Sequence, residues 1–289
     1  MISIGRMLPN LIIIGAAKSG TTSLHYYLDQ HPEIQMSTPK EPHFFGRADW
    51  REQLDWYEEL FPGPAPVRGE ASPSYSTYPV KRDVPQRIRE LIPEAKLIYL
   101  VRDPVERLPA HYAQQVTRGR ETRSFEQALT ASLRDGDDPA NPYLAGSSYA
   151  TQVEQYLQQF PAEQLLVIDL VELAEDRPAT LRGIFGFLGV DPDFTSPRFE
   201  DVLQTKSDQR RFNRLGSWLK ESRPRHAIRA RIPRRLRRAV GMPIARLLSE
   251  EVERPAPSPE LTGALRDRLR PEAERLRELT GKPFSGWSV

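Results

Sequence analysis

At 289 residues, with 38% hydrophobic and 28% charged residues, the chain is long enough to bury a substantial core, and no stretch approaches the roughly 18 apolar residues of a membrane span. It has no cysteine, which excludes a disulfide framework, a thiolate metal site and a cysteine nucleophile. The net charge of +2 hides an uneven distribution: thirteen Lys or Arg residues fall between Lys206 and Arg238 against only Asp208 and Glu221, so that stretch reads either as a solvated helical face or as a contact with an anion or a membrane surface.

The first element is a β-branched run, Leu11 to Ile14, ending at Gly15. As the apolar segment of a secretion signal it is too short, and it leads straight into a structured motif, so a cytoplasmic location is expected. The motif is Ala16-Ala17-Lys18-Ser19-Gly20-Thr21-Thr22-Ser23, followed by a helix-like stretch from Leu24 to Leu28. Ile34 to Met36 predicts a second strand, and apolar spacing predicts helices over 52–61, 82–91, 124–134 and 177–188. Lys96 to Val101 repeats the strand pattern and leads through Arg102-Asp103-Pro104 into a helix whose first turn begins at the proline. An amphipathic helix from Tyr149 to Phe160 precedes a further strand, Leu165 to Leu170. Strands separated by helices predict a parallel sheet with right-handed crossovers, hence an α/β fold of three α/β/α layers with a P-loop-like sheet flanked by helices. Prolines at 62–66, 73, 79 and 139–142 mark loops. We expect one domain over 1–289, with a basic helical cap region at about 206–255. A last amphipathic helix, Glu260 to Leu279, closes on Gly281 and Trp287, and the tail from Arg223 onward is expected to cap the edge of the sheet.

The turn after the first strand carries the strongest chemical signal. Glycine lets backbone approach a phosphate, the N–H groups of the helix's first turn point at it, and Lys18 adds a full charge; Ser19, Thr21, Thr22 and Ser23 offer hydroxyls. Gly15 and Gly20 keep the glycine spacing of the nucleotide-triphosphate loop G-x-x-x-x-G-K-[ST], but position 21 is Thr and the lysine lies earlier, at Lys18. No strand was read as ending in the aspartate that would hold Mg²⁺ in that class. The pattern G-x-x-K-x-G-T-T resembles instead the 5'-phosphosulfate loop of the sulfotransferases that use 3'-phosphoadenosine-5'-phosphosulfate (PAPS), a chemistry that needs no metal.

Other segments carry the same resemblance. Lys40-Glu41-Pro42-His43-Phe44-Phe45 is similar to a segment of bacterial sulfotransferases and of the heparan sulfate glucosaminyl N- and 3-O-sulfotransferases; Gly69-Glu70-Ala71-Ser72-Pro73-Ser74-Tyr75 resembles their Gly-Glu loop, and Phe187-Leu188-Gly189 a helix end. Transfer to a hydroxyl requires a proton acceptor, and by this resemblance Glu41 is the base and His43 its support, with Glu70 as a loop-orienting residue. Arg102, heading Arg102-Asp103-Pro104-Val105-Glu106-Arg107, matches the arginine at the 3'-phosphate. The serine expected eight residues later is Ala110, and the acceptor-binding lysine of the 3-O-sulfotransferases is Ala71, which disfavours a heparan-like polymer. Lys206 and Arg211 fall in the place of the late cofactor loop, where a solvated basic loop is the competing reading. The resemblance thus implies PAPS as donor, with a glycan, lipid or small-molecule acceptor; no nucleic-acid partner is expected, and the mix of apolar and basic residues from Ala227 to Leu248 reads as a peripheral membrane contact through 206–248. Two rivals remain, a nucleoside-triphosphate phosphotransferase and a non-catalytic anion-binding module.

Overall fold

The structure is a computed structural model that describes residues 7–136, 142–201, 203, 210–212, 249–251 and 255–289. Strand β1 (Leu11–Gly15) is buried along its whole length and leads into helix α1 (Thr21–Leu28), then β2 (Ile34–Met36), α2 (Leu54–Glu58), β3 (Val67–Ala71), α3 (Val84–Leu91) and β4 (Lys96–Val101). After β4 come α4 (Arg107–Thr117), α5 (Phe125–Asp135), α6 (Pro142–Ala145), α7 (Tyr149–Leu157), β5 (Leu165–Asp169), α8 (Leu170–Glu175) and α9 (Arg177–Leu188). Two short strands, β6 (Arg210–Phe212) and β7 (Ser249–Glu251), pair antiparallel, and α10 (Pro259–Thr280) is the last helix.

Five strands form one parallel sheet in the order β2-β3-β1-β4-β5. β1 is central, with Ile12 opposite both Glu70 of β3 and Leu97 of β4. Because side chains alternate along a strand, Ile12 and Ile14 join Leu97, Tyr99 and Val101 in one core, while Leu11 and Ile13 join Ile98 and Leu100 in the other. The first core is closed by α3, α7 and α10, the second by α1 and α9, which yields the expected three layers.

One strand escapes the sequence pattern. β3 lies between β2 and β1 although its Val-Arg-Gly-Glu-Ala sequence has a single strong β-former; burial between two neighbours overrides weak local preference. The helix after β4 starts at Arg107 rather than Pro104, because Asp103 Oδ1 accepts the N–H groups of Val105 and Glu106 and holds 104–106 as a turn. A strand does end in aspartate, contrary to the sequence reading: β5 closes on Asp169, whose Oδ1 caps α8 through Val171 N and whose Oδ2 accepts from Trp287 Nε1 at 2.9 Å.

The end of the chain belongs to the body of the fold. α10 packs on α7 and α5, Leu265, Leu269 and Leu276 are fully buried, and Gly281 ends the helix in the left-handed conformation. Phe284 and Trp287 then stack, and Ser288 N–H donates to Asp103 Oδ2, tying the tail to the C-terminal ends of β4 and β5. Most of the expected basic cap lies outside the described residues; within it, β6 and β7 are described, and β6 lies beside α4. Leu276→Ala should cost about 2–5 kcal/mol of stability through the cavity it leaves, whereas Trp287→Phe should cost about 1–3 kcal/mol by leaving Asp169 Oδ2 without a donor, both read from urea unfolding.

Candidate active site

The turn from β1 to α1 is shaped by close approach. A Cβ on Gly15 would lie 1.9 Å from Ser76 Oγ, and one on Gly20, at φ +89°, would lie 2.7 Å from Leu170 Cδ1. Ala16 N donates to Leu100 O at 2.7 Å and Ser19 N to Ala16 O at 3.2 Å, so the turn is sewn to the end of β4. Gly20 gives α1 no side-chain cap, and the first helical bond runs from Leu24 N to Gly20 O. The N–H groups of Thr21, Thr22 and Ser23 therefore have no acceptor in the helix, which is the arrangement that binds anions.

These residues line a cleft of about 560 Å³ together with Lys18, Glu41, His43, Arg102, Arg107 and the cleft-facing residues of α4. Among the described residues, six Lys or Arg side chains (Lys18, Lys81, Arg102, Arg107, Arg118 and Arg120) border it against one carboxylate, Glu41. Arg107 is fully buried, and its guanidinium donates to neutral groups: Nε to Ser147 Oγ at 3.0 Å, Nη2 to Tyr143 O at 2.8 Å, and Nη1 to Ala17 O in the turn at 3.3 Å. Among the described residues no carboxylate pairs with it. Burial lowers its pKa, and the same desolvation, with Arg107, Lys18 and Arg118 nearby, holds His111 well below the ordinary histidine range. A dehydrated cation beneath the phosphate-type turn is an anion site by electrostatics as well as by shape.

The Lys40–Phe45 segment forms the opposite chemistry. Glu41 and His43 both take left-handed backbone conformations, at φ 63° and 53°. Lys40 Nζ lies 2.8 Å from Glu41 Oε1, and His43 Nε2 lies 3.5 Å from Oε2, an ion-pair rather than a hydrogen-bond distance. His43 first and Lys40 next draw the Glu41 carboxyl down to about 2 against the opposing effect of burial, so it is ionised at neutral pH. His43 Nδ1 contacts Ser74 Oγ at 2.9 Å; with Nε2–H turned to the carboxylate, Nδ1 accepts from that hydroxyl.

This loop hangs from Glu70. That carboxylate, at the end of β3, is completely buried and accepts from Tyr57 OH at 2.7 Å, Tyr75 OH at 3.0 Å and Ser72 Oγ at 2.6 Å. Ser72 Oγ in turn accepts His43 N, and Tyr75 OH accepts Phe45 N. Burial raises the Glu70 pKa while the three hydroxyls pull the other way.

A Sulfotransferase domain family model matches residues 8–222. The chain belongs to the sulfotransferase family. It is 34% identical over 198 residues to heparan sulfate glucosamine 3-O-sulfotransferase 3B1 of Mus musculus, covering 67% of this chain and 49% of that protein. It is also 32% identical over 203 residues to bifunctional heparan sulfate N-deacetylase/N-sulfotransferase 2 of Bos taurus, covering 64% of this chain and 22% of that protein. The chain thus spans half or less of the length of these curated relatives. A crystal structure of a sulfotransferase from Alicyclobacillus acidocaldarius aligns over 97% of this chain and 99% of its own, at 29% identity and a TM-score of 0.67.

Within this sulfotransferase fold, the residues singled out from sequence converge. Lys18, Gly20, Thr21, Thr22, Ser23, Glu41, His43 and Arg102 all border the one cleft. Ser19 does not border it and is fully buried, beside Tyr149. Ala110 borders the cleft and Ala71 is fully buried. Lys206 lies outside the described residues, and Arg211 is described in its backbone alone, in β6. Sequence reasoning passed over Arg107 as a site residue although it closes the Arg102-to-Arg107 motif; it read Glu70 as loop-orienting, in keeping with the hydrogen bonds found, but singled out neither Ser74 nor Tyr57 as partners. Glu70→Ala should leave three buried hydroxyls without their acceptor, lowering stability by about 2–4 kcal/mol in urea unfolding; His43 and Phe45 amide exchange should accelerate with it.

Proposed function

We propose that this sulfotransferase moves a sulfuryl group from PAPS to a hydroxyl or amine of a carbohydrate, lipid or small natural product. The observation that carries the reading is a single cleft bordered by the Lys18 turn, by Arg102 at the end of β4 and by the ionised Glu41. PAPS has two phosphate ends, and the cleft offers cationic groups from two separate strand ends. The α1 first turn and Lys18 suit the 5'-phosphosulfate, and Arg102 suits the 3'-phosphate, with the buried Arg107 adding field from below.

When bound, PAPS supplies an activated sulfur whose leaving group is a phosphate. The acceptor oxygen attacks that sulfur in line and gives its proton to Glu41; the bond from sulfur to the phosphate oxygen breaks, and Lys18 with the first-turn N–H groups takes up the charge that develops there. His43 keeps Glu41 oriented, and Ser74 keeps His43. Arg102 contacts Glu106 Oε2 at 3.2 Å, but Glu106 is two-thirds exposed, so this ion pair is weak and yields readily to a phosphate. The relatives named for heparan sulfate support a glycan acceptor; Ala71, expected from sequence to disfavour that polymer, is packed in the core and does not border the cleft, so it does not bear on the acceptor. The proposed membrane contact through 206–248 falls mainly outside the described residues.

A phosphotransferase reading is less well supported. Asp103, after β4, accepts backbone N–H groups, and Asp169, the last residue of β5, accepts from Val171 N and Trp287 Nε1, so both carboxylates are engaged. Calorimetry should accordingly show tighter binding of the product 3'-phosphoadenosine-5'-phosphate (PAP) than of ATP with Mg²⁺; the reverse order would favour phosphotransfer. In a ³⁵S-PAPS transfer assay across an acceptor library, Glu41→Gln should lower turnover by about 10²-fold or more with PAP affinity nearly intact. Lys18→Ala should lower both, and unchanged kinetics would refute its role.

A further inference from the structure

Lys40 is the least explained charge near the reacting centre. It lies next to Glu41 in the chain, its side chain is 18% exposed against 33% for Glu41, and its Nζ contacts Oε1 at 2.8 Å. Oε1 is thereby occupied, and Oε2, on the His43 side, is the freer oxygen. Glu41 also sits in a strained left-handed conformation that a loop of this kind keeps only when its surroundings fix it. Lys40 is one of the groups that fix it. The other groups facing this carboxylate are His43 on the same loop and His25 on α1, which is partly buried and held by Ser37 O at 3.2 Å; Glu70 and Ser74 act through His43, and Lys18 borders the same cleft.

We propose that Lys40 is a positioning residue of the transfer reaction: by holding Oε1 it presents Oε2 of Glu41 to the acceptor's proton. The inference rests on Glu41 being the base. No covalent chemistry is assigned to Lys40. A partly buried lysine paired with the proton acceptor couples two things that otherwise vary separately, the direction of the accepting oxygen and its basicity. Removing the charge loosens the first and raises the second, because a carboxylate without its cation protonates at higher pH.

The test compares wild type, Lys40→Met and Lys40→Arg by pH–rate profile, PAP affinity and ¹³C-carboxyl titration of Glu41. Lys40→Met is expected to lower kcat about tenfold at neutral pH and to move the acid limb and the Glu41 titration upward by about one pH unit, with PAP affinity within about twofold. Lys40→Arg is expected to restore the acid limb. A fall in kcat with neither the limb nor the carboxyl titration displaced would reduce Lys40 to a structural part and overturn the inference. Because the carboxyl titration needs no turnover, it decides the matter even if Lys40→Met is inactive. Failure of the underlying reading shows separately, as activity retained in Glu41→Gln.

Discussion

A carboxylate removed from water must be satisfied by donors, and Glu70 sets much of this active site by the donors it gathers. Tyr57 comes from α2, Tyr75 and Ser72 from the segment after β3, and two of the three pass the constraint on by accepting the N–H groups of Phe45 and His43. The loop bearing Glu41 is thus referenced to the sheet through side chains rather than through strand pairing. Buried networks of this kind are rigid when every member is satisfied and costly when one is missing. Phe44 stacked on Tyr57 at 3.8 Å adds packing to the same junction. A single residue of β3 therefore fixes a loop that has no regular structure beyond one short turn.

The second constraint is charge. Arg107 is held in place by neutral acceptors, so its field is not cancelled locally and reaches the turn above it through Ala17. Gly146 leaves the room it needs, since a Cβ there would lie 2.9 Å from Nη2. Burying an uncompensated guanidinium lowers stability, and folds keep such a feature where a ligand's negative charge completes it. The α1 first turn contributes partial charges of the same sign, so the sheet's C-terminal edge concentrates positive potential at the crevice beside β1, where open α/β sheets bind ligands.

The legible parts of this structure were those whose signal is local. The β1–turn–α1 unit announces itself by an apolar run, two glycines and a lysine, and β4 with its terminal Arg102 by the same pattern; both landed where the spacing put them. β3 stayed hidden because Arg68, Gly69 and Glu70 look like loop and become strand only through neighbours distant in sequence. Asp169 was missed as a strand end because the strand was carried one residue too far, to Leu170, which instead opens α8. Of the tail, the amphipathic helix was legible and stands as α10, whereas its anchoring was not: Asp169 and Asp103, which tether the segment after it, are more than a hundred residues away.

For the proposed role of Glu41, its low pKa poses the sharpest chemical question, since a carboxyl at about 2 is a feeble base toward an alcohol. The difficulty eases if the bond to the leaving phosphate is largely broken before the acceptor oxygen bonds to sulfur, as in the loose transition states of phosphoryl transfer. The acceptor hydroxyl then becomes acidic only late, as its oxygen acquires positive character, and a weak base in the right place suffices. On that view the cleft puts most of its catalytic effect into the leaving group, through Lys18 and the α1 first turn, and asks of Glu41 orientation more than strength. On the proposed reading, the ion pairs that lower the basicity of Glu41 are also those that hold it still.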